Sequence, residues 1–294
     1  MGKILIIGAS GFIGGRLYTY LKNVDQKLEV MGTYYSNKRF PELIYLDVTD
    51  YLSLKSLIIN NKFDFIFLLS GIKDLKSCES DYNKTYILNY MPIEYIIDII
   101  ESNKLHTKLI FMSSDYVFDG LKGNYTDDDI PNPNTNYGRT KFLAEQSLLK
   151  SKISYKIVRS SAVVGKGGTF FDWIIEQFNS CQVELFSNVY FTPTPVTFLC
   201  EVLYRLIIDF DTIDKSILHI VGEKKMSRYD FGVMVYEFYK SKLNMKTNVN
   251  LVPKELQLEN TLFRRDLSMI QSTFVRRYQN RKFEDYIKEE ISNV

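Results

Sequence analysis

Short apolar runs alternate with longer amphipathic stretches through the first half of the chain. The runs "KILIIG" (3–8), "LEVMGTY" (28–34), "LIYLDV" (43–48), "FDFIFLLS" (63–70), "KLIFMSS" (108–114) and "SYKIVRS" (154–160) read as buried strands. Apolar positions at helical spacing lie between most of them, most clearly in "LNYMPIEYIIDIIESN" (88–103) and "YGRTKFLAEQSLLK" (137–150). Such alternation predicts a doubly wound α/β fold, a parallel sheet whose crossover helices bury their apolar stripes on both of its faces. Pro92 falls near the start of the 88–103 pattern, where its missing N–H costs least, so a helix that begins earlier and bends there is expected.

Beyond about residue 160 the alternation is less regular. Helical patterns at 169–178, 196–210 and 227–242 are separated by short strand-like pieces such as "VELF" (183–186) and "ILHIVG" (217–222). No Gly-rich linker or internal repeat intervenes, which predicts a smaller second lobe rather than an independent domain. The expected division is 1–160 for the α/β domain and 161–294 for the lobe, with some segments of the latter returning to the former. The connection "FDGLKGNYTDDDIPNPNTN" (118–136) is rich in turn formers and long enough to be functional or mobile.

Composition narrows the classes of function. The 294 residues are 45% hydrophobic and 14% aromatic, enough for a large core. Lys plus Arg number 37 against 35 for Asp plus Glu, a balance that offers no basic field to nucleic acid or an acidic membrane. The basic run "FVRRYQNRK" (274–282) reads as a solvated face. Cys78, Cys181 and Cys200 are odd in number and widely spaced, and with only His106 and His219 they supply neither a disulfide framework nor a metal site. Asp127, Asp128 and Asp129 are adjacent, so their carboxylates diverge and read as a hydrated turn. No membrane-length apolar stretch, secretory leader or myristoylation signal is evident, and a reducing, cytoplasmic setting is expected.

At the first strand-to-helix junction stands "GASGFIGGRL", with Gly8, Gly11 and Gly14 at three-residue intervals. Glycines there let the backbone approach a pyrophosphate, and the following helix N-terminus offers N–H donors and partial positive charge. After the second strand a carboxylate would select a free ribose 2′-hydroxyl, but the sequence presents "TYYSNKRF" (33–40), whose hydroxyls and cations suit a 2′-phosphate. NADPH is therefore expected over NADH, which stays open. The candidate cofactor contacts are Gly8, Ser10, Gly11, Phe12, Ile13, Gly14, Tyr34, Ser36, Asn37, Lys38 and Arg39, with Asp47 and Val48 toward the adenine, and Leu69, Ser70 and Gly71 at the end of the 63–70 strand.

In "NTNYGRTKF" (134–142), Tyr137 and Lys141 stand four positions apart, on one face of a helix. An ammonium beside a phenol favours its ionised form and makes it a usable proton donor, so an acidified Tyr137 is expected.

Taken in order, the Gly loop, "LDVTD" (46–50), "KSCES" (76–80), "MSSDYVFDG" (112–120), "YTDDDIPNPNTNYGRTKFLAE" (125–145), "VRSS" (158–161) and, more loosely, "FTPTP" (191–195) and "RRDLS" (264–268) resemble the extended short-chain dehydrogenase/reductases. The likeness is greatest to the dTDP-4-dehydrorhamnose reductase branch. It implies a Rossmann-like domain with a substrate-binding lobe, and NADPH-dependent reduction of the C4 ketone of a nucleotide-linked 4-keto-6-deoxyhexose. By the resemblance, Ser114 hydrogen-bonds the ketone, Tyr137 protonates its oxygen, Lys141 binds the nicotinamide ribose and lowers the phenol's pKa, and Asn89 helps the lysine relay protons through water. Asp115 and Tyr116 follow Ser114 where the related 4,6-dehydratases carry Asp then Glu, so no second carboxylate is available to eliminate water, and Tyr116 becomes a substrate-shaping aromatic. The branch usually presents a Trp to the sugar where this chain has Ala162 after Arg159-Ser160-Ser161, which implies room for a bulkier group such as a 2-acetamido substituent, on a UDP or dTDP carrier. A homodimer is one assembly the resemblance allows. A regulatory subunit like methionine adenosyltransferase β and a nucleotide-sugar epimerase remain as alternatives.

Overall fold

The computed structural model describes residues 2–243, 249–257 and 264–292. In chain order its elements are β1 (Lys3–Ile7), α1 (Phe12–Val24), β2 (Glu29–Tyr34), β3 (Ile44–Tyr45), α2 (Tyr51–Asn61), β4 (Phe65–Leu68), α3 (Leu75–Ser80), α4 (Tyr82–Asn89), α5 (Met91–Ser102), β5 (Lys108–Met112), α6 (Asn136–Lys150) and β6 (Tyr155–Arg159). Then follow β7 (Val163–Val164), α7 (Thr169–Gln177), β8 (Gln182–Phe186), β9 (Tyr190–Phe191), β10 (Thr194–Pro195), α8 (Val196–Ile208), β11 (Ile217–His219), β12 (Met226–Ser227), α9 (Arg228–Leu243), β13 (Asn250–Lys254), α10 (Thr273–Arg276) and α11 (Phe283–Ser292).

The chain forms two compact units. One comprises Met1–Phe118, Pro131–Arg159 and Leu203–Leu218 and holds a seven-stranded sheet of order β11-β6-β5-β4-β1-β2-β3. The pairs from β6 across to β3 all run parallel. Its central strands are apolar on both faces, as a parallel sheet covered by helices requires. Leu5, Ile7, Ile66, Leu68, Leu109 and Phe111 pack with Leu54 and Ile58 of α2, Ile93, Ile96 and Ile99 of α5, and Ala144 and Leu148 of α6. The alternate residues Ile4, Ile6, Phe67 and Ile110 are fully buried on the opposite face. The expected doubly wound α/β fold is the one observed, and strand order reverses between β1 and β4.

The other unit comprises Asp119–Ile130, Ser160–Val202 and His219–Val294. Among the described residues it carries three two-stranded pairings, β7 with β10, β9 with β12 and β8 with β13, around a core that includes Phe171, Phe178, Phe191, Phe231, Phe283 and Ile287. Among the described residues no helix is long and apolar enough to cross a membrane.

Several expectations need correction. The 88–103 pattern is two helices, α4 and α5, because the chain breaks at Tyr90 and Pro92 lies in the first turn of α5, where no intrahelical N–H is lost. Helices α3 and α4 lie in the polar stretch after β4, started by Asp74 and Asp81, whose carboxylates accept from the backbone N–H of Ser77 and Lys84. The strand expected over 43–48 is only Ile44–Tyr45, an exposed edge, and Asp47 and Val48 lie beyond it. Within the supposed solvated run, Phe274 and Val275 of α10 are buried.

The long connection is tied down over much of its length. Tyr125 N–H donates to the Ser268 carbonyl at 2.9 Å, its own carbonyl accepts from Ile270 N–H at 2.8 Å, and its phenol donates to Asp119 at 2.6 Å. Asp129 accepts from Thr126 N–H at 2.7 Å and so organises the turn, while Asp127 accepts from the Ser272 hydroxyl at 2.8 Å and ties the turn to a distant segment.

Candidate active site

The glycine loop closes β1 onto α1 with almost no space to spare. A Cβ at Gly14 would stand 2.2 Å from the Gly8 carbonyl oxygen, so helix and loop approach as only glycine permits. Gly8, at φ +93°, is also close to the segment that follows β4, where a Cβ would meet Ser70 N at 2.8 Å. Helix α1 starts after Gly11 with no side-chain cap and no acid in its first turn, so the N–H groups around Phe12, Ile13 and Gly14 and their partial positive charge are left for an anion. Beside them the Ser70 hydroxyl is buried without a hydrogen-bond partner, the one such side-chain atom among the described residues. A glycine cradle, uncapped N–H donors and an orphaned hydroxyl together fit a dinucleotide's pyrophosphate and adjoining ribose.

At the end of β2 the expected cationic edge is present. Ser36, Asn37, Lys38 and Arg39 are exposed; the Lys38 ammonium lies 5.6 Å from the Tyr34 ring centroid, and the Arg39 guanidinium lies so near the first turns of α1 that a Cβ at Gly15 would stand 2.8 Å from its Nη1. Asp47 is engaged locally, accepting from Thr49 N–H at 2.9 Å and its hydroxyl at 2.7 Å, while Val48 packs against the core.

Ser114, Tyr137, Lys141 and Asn89 all belong to the sheet unit, gathered past the carboxyl ends of β4 and β5. Ser114 follows β5 and opens a 3₁₀ turn, Asp115–Val117; its hydroxyl donates to Asp115 at 2.9 Å and accepts from Tyr116 N–H. Tyr137 lies in the first turn of α6, which Thr135 caps by accepting from Gly138 N–H at 3.0 Å. Gly138 brings turn and helix together, since a Cβ there would stand 2.0 Å from the Tyr116 carbonyl oxygen. As a result the Tyr116 ring meets the Tyr137 ring edge-on at 5.8 Å, and the Ser114 hydroxyl lies near enough to the phenol to bear on its titration.

The electrostatics differ from expectation. Burial pushes the Tyr137 phenol well above its ordinary range; the Ser114 hydroxyl pulls the other way, and the neighbouring Asp115 raises it further. The Lys141 ammonium is directed elsewhere: Nζ donates to the Met112 carbonyl at 2.9 Å and lies 4.8 Å from the Phe111 ring centroid. Burial lowers its pKa to about 8, against the opposing influence of Glu145 and Cys78. Spacing placed the two side chains on one face, but the carbonyl at the strand end decides where the ammonium points.

Asn89 is 3% exposed, not a surface amide. It accepts from Ile72 N–H at 2.8 Å and donates to the Ile72 carbonyl at 2.9 Å, which clamps the loop after β4. At Gly71, in that loop, a Cβ would stand 2.5 Å from the Asn89 amide oxygen and 3.9 Å from Lys141 Nζ. Leu69, whose N–H donates to the Ile7 carbonyl at 3.0 Å, joins this loop to the glycine cradle.

The sequence reading missed Glu145, Arg159, Ser113 and Gly138. Glu145 had a signal: it continues the Tyr137, Lys141 series at four-residue steps, a polar side chain on the inward face of α6. Ala162 lies in the other unit, against its aromatic core, with its carbonyl accepting from Thr194 N–H at 3.0 Å.

The chain is similar in sequence and in fold to known proteins. The chain is 28% identical over 244 residues to methionine adenosyltransferase 2 subunit beta of Xenopus tropicalis, covering 78% of this chain and 69% of that protein. It is 26% identical over 243 residues to dTDP-4-dehydrorhamnose reductase of Aggregatibacter actinomycetemcomitans, covering 81% and 79%. In fold it is similar to the crystal structure of dTDP-4-dehydrorhamnose reductase from Bacillus anthracis in complex with NADP, with a TM-score of 0.82, 20% identity and 100% of both chains covered. Residues 2–285 match the RmlD substrate binding domain, and the chain belongs to that family.

Proposed function

We propose that this protein is an NADPH-dependent reductase acting on the C4 ketone of a nucleotide-linked 4-keto-6-deoxyhexose. What supports it most is the gathering of Ser114, Tyr137 and Lys141 past the carboxyl end of β5, joined through Gly71 and Ser70 to the glycine cradle. Gly8, Ser10, Gly11, Phe12, Ile13 and Gly14 would hold the diphosphate, Tyr34, Ser36, Asn37, Lys38 and Arg39 the 2′-phosphate, Asp47 and Val48 the adenine side, and Leu69, Ser70, Gly71 and Lys141 the inner ribose. When bound, NADPH supplies the hydride. The Ser114 hydroxyl turns from Asp115 to the ketone oxygen and orients it, while Tyr137 gives that oxygen its proton. A phenol whose pKa burial raises keeps its proton at neutral pH, which suits a donor to an alkoxide-like oxygen.

The test is NADPH oxidation with 4-keto-6-deoxy sugars generated in situ from UDP-GlcNAc, UDP-glucose and dTDP-glucose. Turnover of at least one is expected. None, with NADPH still bound, would move the reading to a regulatory subunit, which the identity to the Xenopus protein favours. Lys38→Ala with Arg39→Ala is expected to raise KM for NADPH at least tenfold, about 1.4 kcal/mol, and to leave KM for NADH nearly unchanged. An equal rise for both cofactors would remove these cations from 2′-phosphate recognition.

For the sugar, we read the methyl of Ala162 as room for a 2-acetamido substituent. Ala162→Trp is expected to shift preference toward sugars without that group; an unchanged preference refutes the pocket argument.

A further inference from the structure

Beneath the candidate catalytic groups lies a buried ionic cluster that the proposed chemistry does not use. Glu145 and Arg159 are 0% and 1% exposed and joined by two hydrogen bonds, Arg159 Nε to Oε1 at 3.0 Å and Nη2 to Oε2 at 2.7 Å. The Ser113 hydroxyl donates to the same Oε1 at 2.5 Å. Phe118 covers the guanidinium, its ring centroid 5.1 Å away. A buried pair of this kind is weak evidence for stability, since desolvation of both ions offsets much of their attraction, and its place in the fold points to another role.

Lys141 and Glu145 stand one turn apart on the same face of α6, and they hold consecutive residues of the strand end, Met112 and Ser113. Ser114 comes next in the chain. We propose, resting on the reading above, that Glu145 is a positioning residue of this site: it is the counter-charge of the Lys141 ammonium and the anchor of the strand end that presents Ser114. The ammonium is buried against a carbonyl and an aromatic ring, and without a nearby anion burial would favour its neutral form. The titratable groups that bear on it are Glu145 from its own helix and the Cys78 thiol from α3; Tyr137 stands one turn earlier, and Arg159 of β6 is engaged by Glu145. Arg159 pairs with the Glu145 carboxylate through two hydrogen bonds, and that carboxylate belongs to the residue one turn after Lys141 on the same face of α6.

The test is NMR titration of Lys141 in cofactor-free protein carrying ¹³C-labelled lysine, comparing wild type with Glu145→Gln. The wild-type midpoint is expected near pH 8, and the variant's lower by at least one unit, a tenfold smaller charged-to-neutral ratio at a given pH above both. The upper pH limit of kcat should move down with it, a change that loss of packing alone would not produce. Should the single variant not fold, Glu145→Gln/Arg159→Gln, which leaves neither charge buried, is titrated in its place; the repulsion of the ammonium by the guanidinium is lost as well, so a smaller downward shift of the Lys141 midpoint is expected. Equal midpoints in wild type and variant overturn the proposal. The titration needs no substrate, so it decides the role of Glu145 even if no sugar is turned over, the outcome that would count against the reductase itself.

Discussion

Tyr137→Phe is expected to lower kcat for the proposed reduction by about 10²–10⁴-fold, roughly 3–5 kcal/mol of barrier, with KM for NADPH close to wild type. The substitution removes one oxygen and keeps the ring that meets Tyr116 edge-on at 5.8 Å. The helix start is held independently, by the Thr135 cap and the close approach at Gly138, so Ser114 and Lys141 should stay where they are. A loss of that size with an unchanged unfolding midpoint would therefore report a missing proton donor. If the variant keeps half of the wild-type kcat, Tyr137 is not the acid and the donor must be sought elsewhere in the site.

The largest effect on stability is expected at Arg159. Replacing it with Met leaves the Glu145 carboxylate buried with Ser113 as its remaining hydrogen-bond partner among the contacts described, and removal of one partner from such a pair costs about 3–5 kcal/mol. The surface pair Lys254–Glu184 makes the comparison: its side chains are 56% and 50% exposed, and breaking a pair of that kind costs about 0–1 kcal/mol. Urea unfolding of the two variants should separate them clearly. A loss below about 1 kcal/mol for Arg159→Met would mean that water reaches the carboxylate, contrary to its burial.

Much of the first unit was legible because its signals are local. Apolar runs of strand length, a glycine loop at the first junction and a helical pattern carrying Tyr137 and Lys141 each follow from backbone sterics and side-chain period, which neighbours in the chain suffice to express. Where local signals were weak the reading failed. The short polar helices α3 and α4 depend on Asp caps more than on an apolar stripe, and β3 ends early because an exposed edge strand has a partner on one side only.

The sequence by itself determined the fold class, the family and the residue types available for chemistry. The tertiary structure decided what those residues do to one another: that β11, far along the chain, completes the sheet, that the Lys141 ammonium turns to a strand-end carbonyl, that the Tyr137 phenol is held protonated, and that Glu145 and Arg159 meet in the core. Burial and the direction of a hydrogen bond depend on which segments pack together, and partners distant in the chain leave no mark in the spacing of either one.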